Sequence, residues 1–177
     1  MPNHPEESII VNIFTQSDKS RDRFTDIFRS YKEVVLNFFD EFSEFQEKSK
    51  IRNCQMAIVD VDAKVMCKSA GSQSVQEAFS CLLALRNECP SLYLIALTED
   101  KKFINISSFY DMGIQSVIFR EDKIKEMRVE VLRGLEHVEH WKAIFGQLRD
   151  DKVVEKEFME LYNDADDDSG DSGEEAA

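Results

Sequence analysis

One stretch, residues 54–62, constrains the fold more than any other: it reads Cys-Gln-Met-Ala-Ile-Val-Asp-Val-Asp. Its apolar residues run without alternation into Asp60, and Asp62 follows two positions later. A short continuous apolar run between polar residues is typical of a strand buried on both faces of a parallel sheet. Because ligands bind just past the carboxyl ends of such strands, Asp60 is a candidate site residue by position alone.

The rest of the chain alternates between apolar runs and helical periodicity. Phe24, Ile27 and Phe28, for example, recur at the spacing of one helix face. The predicted strands are residues 9–14, 34–39, 54–61, 92–97 and 115–119, and the predicted helices begin near Lys19, Asp40, Ser74, Asp100 and Asp122. Strict alternation predicts an α/β fold, a flavodoxin-like five-stranded parallel sheet with alternating helices and right-handed crossovers.

Local signals mark the ends of several of these helices. Ser17 or Asp18 can cap the first helix by accepting hydrogen bonds from its unpaired amides, and Asp100 is placed to cap the fourth. The sequence at residues 74–77, Ser-Val-Gln-Glu, matches a capping box. Gly113 fits the left-handed position that follows a helix end.

The last helical pattern is unusually long. Its apolar residues continue at steps of three and four from Ile124 through Trp141 and Phe145 to Leu148. A single surface helix seldom runs so far, so we predict an extended C-terminal helix whose second half lies beyond the sheet. Such a helix can pair with another copy of the chain or fold back on its own domain.

Charge is distributed unevenly along the chain. The net charge is −13, and residues 163–177 carry seven acidic residues and no basic one. That tail holds no hydrophobic residue larger than Ala, so we predict that it is disordered. Without a basic stripe to displace counterions, nucleic-acid binding is not expected.

The chain has no predicted route into or across a membrane. No stretch approaches the roughly 20 apolar residues of a membrane span, and the N-terminus lacks the basic and apolar regions of a signal peptide. The four cysteines, Cys54, Cys67, Cys81 and Cys89, have no CxxC spacing and read as free thiols. We therefore expect a cytoplasmic protein without membrane contact.

Residues 9–140 resemble the receiver domain of two-component response regulators, of the chemotaxis-receiver type. Residues 56–60 resemble the third strand of that family, which ends in its phospho-accepting Asp, and residues 94–98 resemble the fourth strand, which ends in Thr or Ser. Residues 112–120 are similar to the stretch whose Gly precedes the fifth strand and whose end carries a Lys. Residues 15–24 stand where the family has an acidic pair and its first helix.

The resemblance implies a magnesium site, but the residues at its positions do not suit one. Receivers hold Mg²⁺ with the acidic pair and the phospho-accepting Asp, and here Thr15 and Gln16 replace the pair. Their oxygens carry no charge, whereas Mg²⁺ prefers charged oxygen ligands. Asp18 and Asp62 are nearby acids that do not stand at the matching positions. We therefore expect no cofactor, with Mg²⁺ binding disfavoured, and no catalytic residue.

The positions that sense the phosphoryl group also depart from the family. Arg120 stands where receivers have the Lys, and Val117 stands where they have an aromatic switch residue. Arg keeps the positive charge, but its guanidinium is a planar group with several donors, whereas Lys is a point charge. Without a metal, we expect Arg120 to pair with Asp60 and to hold the site in one state. Together with Thr98, these residues are predicted to form a degenerate phospho-acceptor site.

This pattern favours a pseudo-receiver that acts in signal transduction by phosphorylation-independent protein–protein interaction. One alternative is an atypical response regulator that does accept phosphate on Asp60. A more remote one is a phosphohydrolase, because residues 60–62 also resemble the first motif of haloacid-dehalogenase-like enzymes. Against that enzyme, the motif lies on the third strand and Lys64 replaces the usual Thr.

The partners implied are proteins, with a signalling or scaffold protein as the expected class. The candidate interaction surface comprises Phe109, Tyr110, Trp141 and Phe145, and a homodimer through the C-terminal helix is a further expectation. We divide the chain into an N-terminal arm at 1–8, a receiver-like domain at 9–140, a C-terminal helical extension at 141–162 and a disordered acidic tail at 163–177.

Overall fold

The computed structural model describes residues 8–50, 54–62, 75–99, 101 and 103–144, without the side chains of 75–77 and 103–105. The chain divides into two compact units, Met1–Val138 and Glu139–Ala177. Several predictions fall outside the described residues: the caps at Ser74 and Asp100, Phe145 on the candidate surface, Lys64, most of the N-terminal arm, and the acidic tail.

The first unit contains a parallel five-stranded sheet. Its strands are β1 (Ile9–Phe14), β2 (Val34–Phe39), β3 (Cys54–Asp60), β4 (Tyr93–Thr98) and β5 (Ser116–Phe119). Their spatial order is β2-β1-β3-β4-β5, which is the predicted flavodoxin-like order. β3 is the central strand, and its residues 56–60 are all buried. The prediction that began from this stretch is confirmed.

The helices lie between the strands as predicted. They are α1 (Asp18–Phe28), α2 (Phe42–Ser49), α3 (Val75–Glu88) and α4 (Phe103–Asp111), and residues 124–144 form a fifth helix, α5. The Ser17 hydroxyl caps α1 by accepting from the Ser20 amide at 3.2 Å, and Gly113 has the left-handed φ of 81°. Among the described residues, no helix combines the length and the apolar character that crossing a bilayer requires.

Each face of the sheet carries its own hydrophobic core. On one face, alternate residues of β1 and β3 pack with α1 and α5, and on the other Phe14 and alternate residues of β3 and β4 form a core with α2, α3 and α4. Gly134 lets α5 approach the sheet closely, since a side chain there would meet Met56 Cε at 2.7 Å and Tyr93 Cε1 at 2.9 Å. The two cores fix the sheet, and with it the relative positions of the strand ends.

The cysteines with a described position are free thiols: Cys54, Cys81 and Cys89. Burial raises the pKa of Cys54 to about 11, so its thiol stays protonated at neutral pH. A protonated, largely buried thiol behaves as a small hydrophobic side chain. Cys67 lies outside the described residues.

Candidate functional site

The predicted site residues meet at the carboxyl edge of the sheet. Thr15 follows β1, Asp60 ends β3, Thr98 ends β4 and Arg120 follows β5. Because all the strands are parallel, their carboxyl ends lie on one edge, where side chains from distant parts of the chain come together. Hydrogen bonds and ion pairs connect these residues into one cluster.

Asp60 is the buried centre of the cluster, with 1% of the residue exposed. The Thr15 hydroxyl donates to its Oδ2 at 2.8 Å. Its Oδ1 accepts from Arg120 Nη2 at 2.5 Å and from the Asp62 backbone amide at 3.2 Å. Both carboxylate oxygens are therefore occupied by donors from this chain.

Burial raises the pKa of the Asp60 carboxyl above its usual value, because the charged form loses its hydration. The hydrogen bond from Thr15 and the positive charge of Arg120 lower the pKa of this carboxyl, and the charge of Asp62 raises it. Burial is the largest of these effects. The cluster thus holds a carboxylate that is costly to ionise and that depends on its two side-chain donors.

Arg120 connects Asp60 to two further carboxylates. Its Nη2 is 3.9 Å from Asp62 Oδ2, and its Nε is 3.1 Å from Glu99 Oε1. The predicted ion pair between Arg120 and Asp60 is present at 2.5 Å, and 24% of the Arg120 side chain is exposed. The planar guanidinium suits this arrangement, since its several N–H donors can approach more than one carboxylate at once.

The backbone of Arg120 is held by a residue that the sequence does not reveal. Arg23 on α1 donates from Nη1 to the Arg120 carbonyl at 2.5 Å, and from Nη2 to the Asp122 carbonyl. The Arg120 amide donates to the Thr98 carbonyl at 2.9 Å. Because Arg23 is 97 residues away in sequence, no local pattern could have predicted its role as a positioning residue.

Asp62 and Thr98 form a second contact beside Asp60. The Thr98 hydroxyl donates to Asp62 Oδ1 at 3.3 Å, and the Glu99 amide donates to Asp62 Oδ2 at 2.5 Å. Asp62 is the more open of the two aspartates, with 33% of its side chain exposed. Sequence inspection identified Asp62 as a neighbour of the site, but it did not predict the two donors from the end of β4.

Other predicted site positions lie apart from the cluster. Gln16 is exposed, and its Nε2 donates to the Asp40 carbonyl at 3.3 Å. Val117 is buried in the core. Of the two residues at the position of the missing acidic pair, only Thr15 contacts Asp60 among the described interactions.

The candidate interaction surface needs one correction. Phe109 is 3% exposed and packs edge-on against Phe79, with ring centroids 5.1 Å apart. Its placement on the surface was wrong, because its position on α4 turns the ring into the core. The adjacent Tyr110 is 52% exposed and Trp141 is 43% exposed.

A magnesium ion at Asp60 would have to compete with the contacts that Asp60 already makes. Thr15 and Arg120 already occupy both oxygens of Asp60, and Arg120 brings a positive charge to the place where a cation would lie. Within the described residues, no three His, Cys, Asp or Glu side chains are grouped closely enough to hold a metal. Mg²⁺ also prefers charged oxygen ligands, and Thr15 and Gln16, at the positions of the acidic pair, carry no charge.

Comparison with known proteins places the fold. No protein-family model and no curated protein matches the chain. The signal receiver domain of an HD domain-containing protein from Pseudomonas fluorescens Pf-5 matches with a TM-score of 0.62 at 14% identity, over 77% of this chain and 93% of that one. This chain has the receiver-domain fold.

Further solved structures support the same fold. A response regulator receiver domain protein (CheY-like) from Methanospirillum hungatei JF-1 matches with a TM-score of 0.61 at 14% identity, over 75% of this chain and 98% of that one. The receiver domain of RcsB from Salmonella enterica serovar Typhimurium, solved with the phosphomimetic BeF3⁻, has a TM-score of 0.60 at 15% identity, over 73% and 88%. The receiver fold predicted from residues 9–140 is confirmed.

Proposed function

We propose that this chain is a pseudo-receiver that acts in signal transduction by binding a protein partner without being phosphorylated. The observation that supports this most directly is the closed state of Asp60. Its carboxylate is 1% exposed, and both oxygens accept hydrogen bonds from the chain itself. A phospho-acceptor needs an oxygen that an incoming phosphoryl group can reach.

The charges around Asp60 support the same proposal. An aspartate that attacks a phosphoryl group brings two negative groups together, and metal ions commonly neutralise the charge that develops. The only cation beside Asp60 among the described contacts is Arg120, which also faces the carboxylates of Asp62 and Glu99. Three carboxylates around one guanidinium leave little positive potential to attract a phosphodonor.

The partner surface that we propose includes Tyr110 on α4. Half of its side chain is exposed, although its neighbour Phe109 is buried. Tyrosine is enriched at protein interfaces, where it combines a large apolar ring with a hydroxyl. We propose a signalling or scaffold protein as the partner class, and the cytosol as the compartment, in keeping with the free thiols of Cys54, Cys81 and Cys89.

Incubation with acetyl phosphate and Mg²⁺, or with fluoroberyllate and Mg²⁺, is expected to leave the protein unchanged. We expect no mass increase and no movement of the amide signals of Thr15, Asp62 or Glu99, because both oxygens of Asp60 are occupied and the described residues include no group of three His, Cys, Asp or Glu that could hold a metal ion. Intact mass and two-dimensional NMR measure both.

The alternatives predict different results in the same experiment. A stable adduct in the wild type that is absent in Asp60→Asn would refute the proposal and support the phospho-accepting alternative. Steady release of phosphate from small phosphate esters would support the haloacid-dehalogenase-like alternative instead.

We also propose that two copies associate through the C-terminal helix. Trp141 lies on this helix and is 43% exposed. We expect the full chain to sediment as a concentration-dependent dimer and Trp141→Ser to weaken that association, since aromatic side chains contribute much of the binding free energy at interfaces. Tyr110→Ser, a similarly exposed aromatic on α4, is the matched control. A monomer at all concentrations, or equal effects of both variants, would contradict this prediction.

A further inference from the structure

Donors from two strand ends converge on the carboxylate of Asp62. The Thr98 hydroxyl lies 3.3 Å from Oδ1, and the Glu99 backbone amide lies 2.5 Å from Oδ2. Arg120 Nη2 adds a positive charge 3.9 Å from Oδ2. These groups come from the end of β4 and from the residue after β5, so the sheet itself fixes where they meet.

This set of donors is suited to an oxyanion. A hydroxyl, a backbone amide and a guanidinium are the groups that bind carboxylate and phosphate oxygens in proteins, and such charge-assisted hydrogen bonds are stronger than neutral ones. Asp62 presents two oxygens to them, as one edge of a phosphate would. With 33% of the Asp62 side chain exposed, the place also adjoins solvent.

We propose that Asp62 is a resident anion: its carboxylate fills a binding site for a tetrahedral oxyanion of the phosphate class and keeps that site closed. The inference rests on the proposed function, because it explains how the site stays closed in a protein that acts without being phosphorylated. It requires neither a metal nor a nucleophilic Asp60. It assigns Asp62, rather than Asp60, as the residue that excludes free phosphate.

The experiment is a titration of the full chain with inorganic phosphate in the absence of Mg²⁺. The amide of Glu99 and the guanidinium of Arg120 are observed by NMR. In Asp62→Ala, the donors of Thr98, Glu99 and Arg120 no longer face the Asp62 carboxylate. The substitution also removes one negative charge that would repel phosphate. We expect phosphate to bind this variant at least about tenfold more tightly than the wild type, which corresponds to about 1.4 kcal/mol.

Two matched variants separate occupancy from net charge. Asp62→Asn removes the charge but keeps an oxygen that can accept from the same donors. Glu99→Ala removes an equal charge beside Arg120 but leaves the Asp62 carboxylate in place. We expect both to bind phosphate much more like the wild type than like Asp62→Ala. Equally tight binding by Glu99→Ala and Asp62→Ala would overturn the proposal, since net charge alone would then explain the gain.

Further outcomes are equally decisive. If Asp62→Ala shows no phosphate-dependent shift at Glu99 while its other signals match the wild type, the proposal is wrong. Should the alanine variant not fold, Asp62→Ser carries the same expectation, because its shorter side chain also vacates the site. An adduct on Asp60 with acetyl phosphate and Mg²⁺ would refute the proposed function, whereas failure of phosphate to bind Asp62→Ala would refute only the role of Asp62.

Discussion

Replacing Arg120 by alanine is expected to lower the free energy of unfolding by about 3 kcal/mol at neutral pH. The variant leaves the buried carboxylate of Asp60 with the Thr15 hydroxyl and one backbone amide, and without a counterion. The effect belongs at the lower end of the range for a broken buried ion pair, because 24% of the Arg120 side chain is exposed to solvent. Urea unfolding measures it directly.

The loss of stability in Arg120→Ala is expected to depend on pH in a defined direction. Burial raises the pKa of Asp60 and the charge of Arg120 opposes that rise, so the variant should raise the pKa of this carboxyl further. A group with a raised folded-state pKa stabilises fully below its unfolded pKa, about 4 for Asp, and that stability is lost as pH rises through the folded pKa. The destabilisation should therefore be small in acid and grow toward neutral pH.

Two controls test this explanation. In the double variant Arg120→Ala with Asp60→Asn, the carboxylate is gone, so most of the stability at neutral pH should return and the added pH dependence should disappear. Arg133→Ala removes an exposed ion pair with Glu130 and should cost no more than about 0.5 kcal/mol. A loss of equal size at every pH, or no recovery in the double variant, would show that Arg120 acts through packing instead.

Replacing Thr15 by aspartate is expected to destabilise the protein by about 3 kcal/mol when divalent ions are chelated. Thr15 is fully buried, and its hydroxyl lies 2.8 Å from Asp60 Oδ2. The substitution replaces a donor with a second carboxylate at that distance, and two carboxylates so close cannot both ionise without a large cost. Thermal or urea unfolding in the presence of a chelator gives the size of the effect.

Magnesium should then stabilise Thr15→Asp and leave the wild type unaffected. A ligand that binds only the folded state adds about 2.7 kcal/mol when its concentration is 100 times the dissociation constant. Thr15→Asn is the matched control, because an Asn side chain has the shape of Asp without its charge. A second control, Gln16→Asp, places the same charge at an exposed position outside the cluster. Stabilisation of the wild type by Mg²⁺ would contradict our expectation that its residues do not bind this ion.

The elements of the fold were predictable because each has a strong local pattern. β3 is apolar throughout, and Phe24, Ile27 and Phe28 repeat at helical spacing, so burial follows from the order of residues alone. The start of α5 was less predictable. Asp122 was expected to begin it, but its carboxylate accepts the Phe119 amide at 2.8 Å and stays in the turn, and the helix begins at residue 124.

The candidate site was predictable only in part. The pairing of Arg120 with Asp60 was expected from the resemblance to receivers, in which these two positions stand at strand ends on one edge of the sheet, and the ion pair is present. The contacts of Asp62 with Glu99 depend on how two loops approach each other in space, and sequence spacing does not encode that. Phe109 and Tyr110 are neighbours with similar side chains, so their opposite burial depends on the exact rotation of α4, which a pattern of apolar residues fixes only approximately.

Arg23 links the first helix of the unit to the turn that carries Arg120, across 97 residues of chain. A contact with so long a sequence separation forms only after a large loop has closed, and the entropy of that closure must be offset by the contacts that follow. The cluster around Asp60 is therefore expected to be among the last parts of the sheet to assemble. The ionisation of Asp60 then reports on the folding of the whole unit, from its first helix to its last strand.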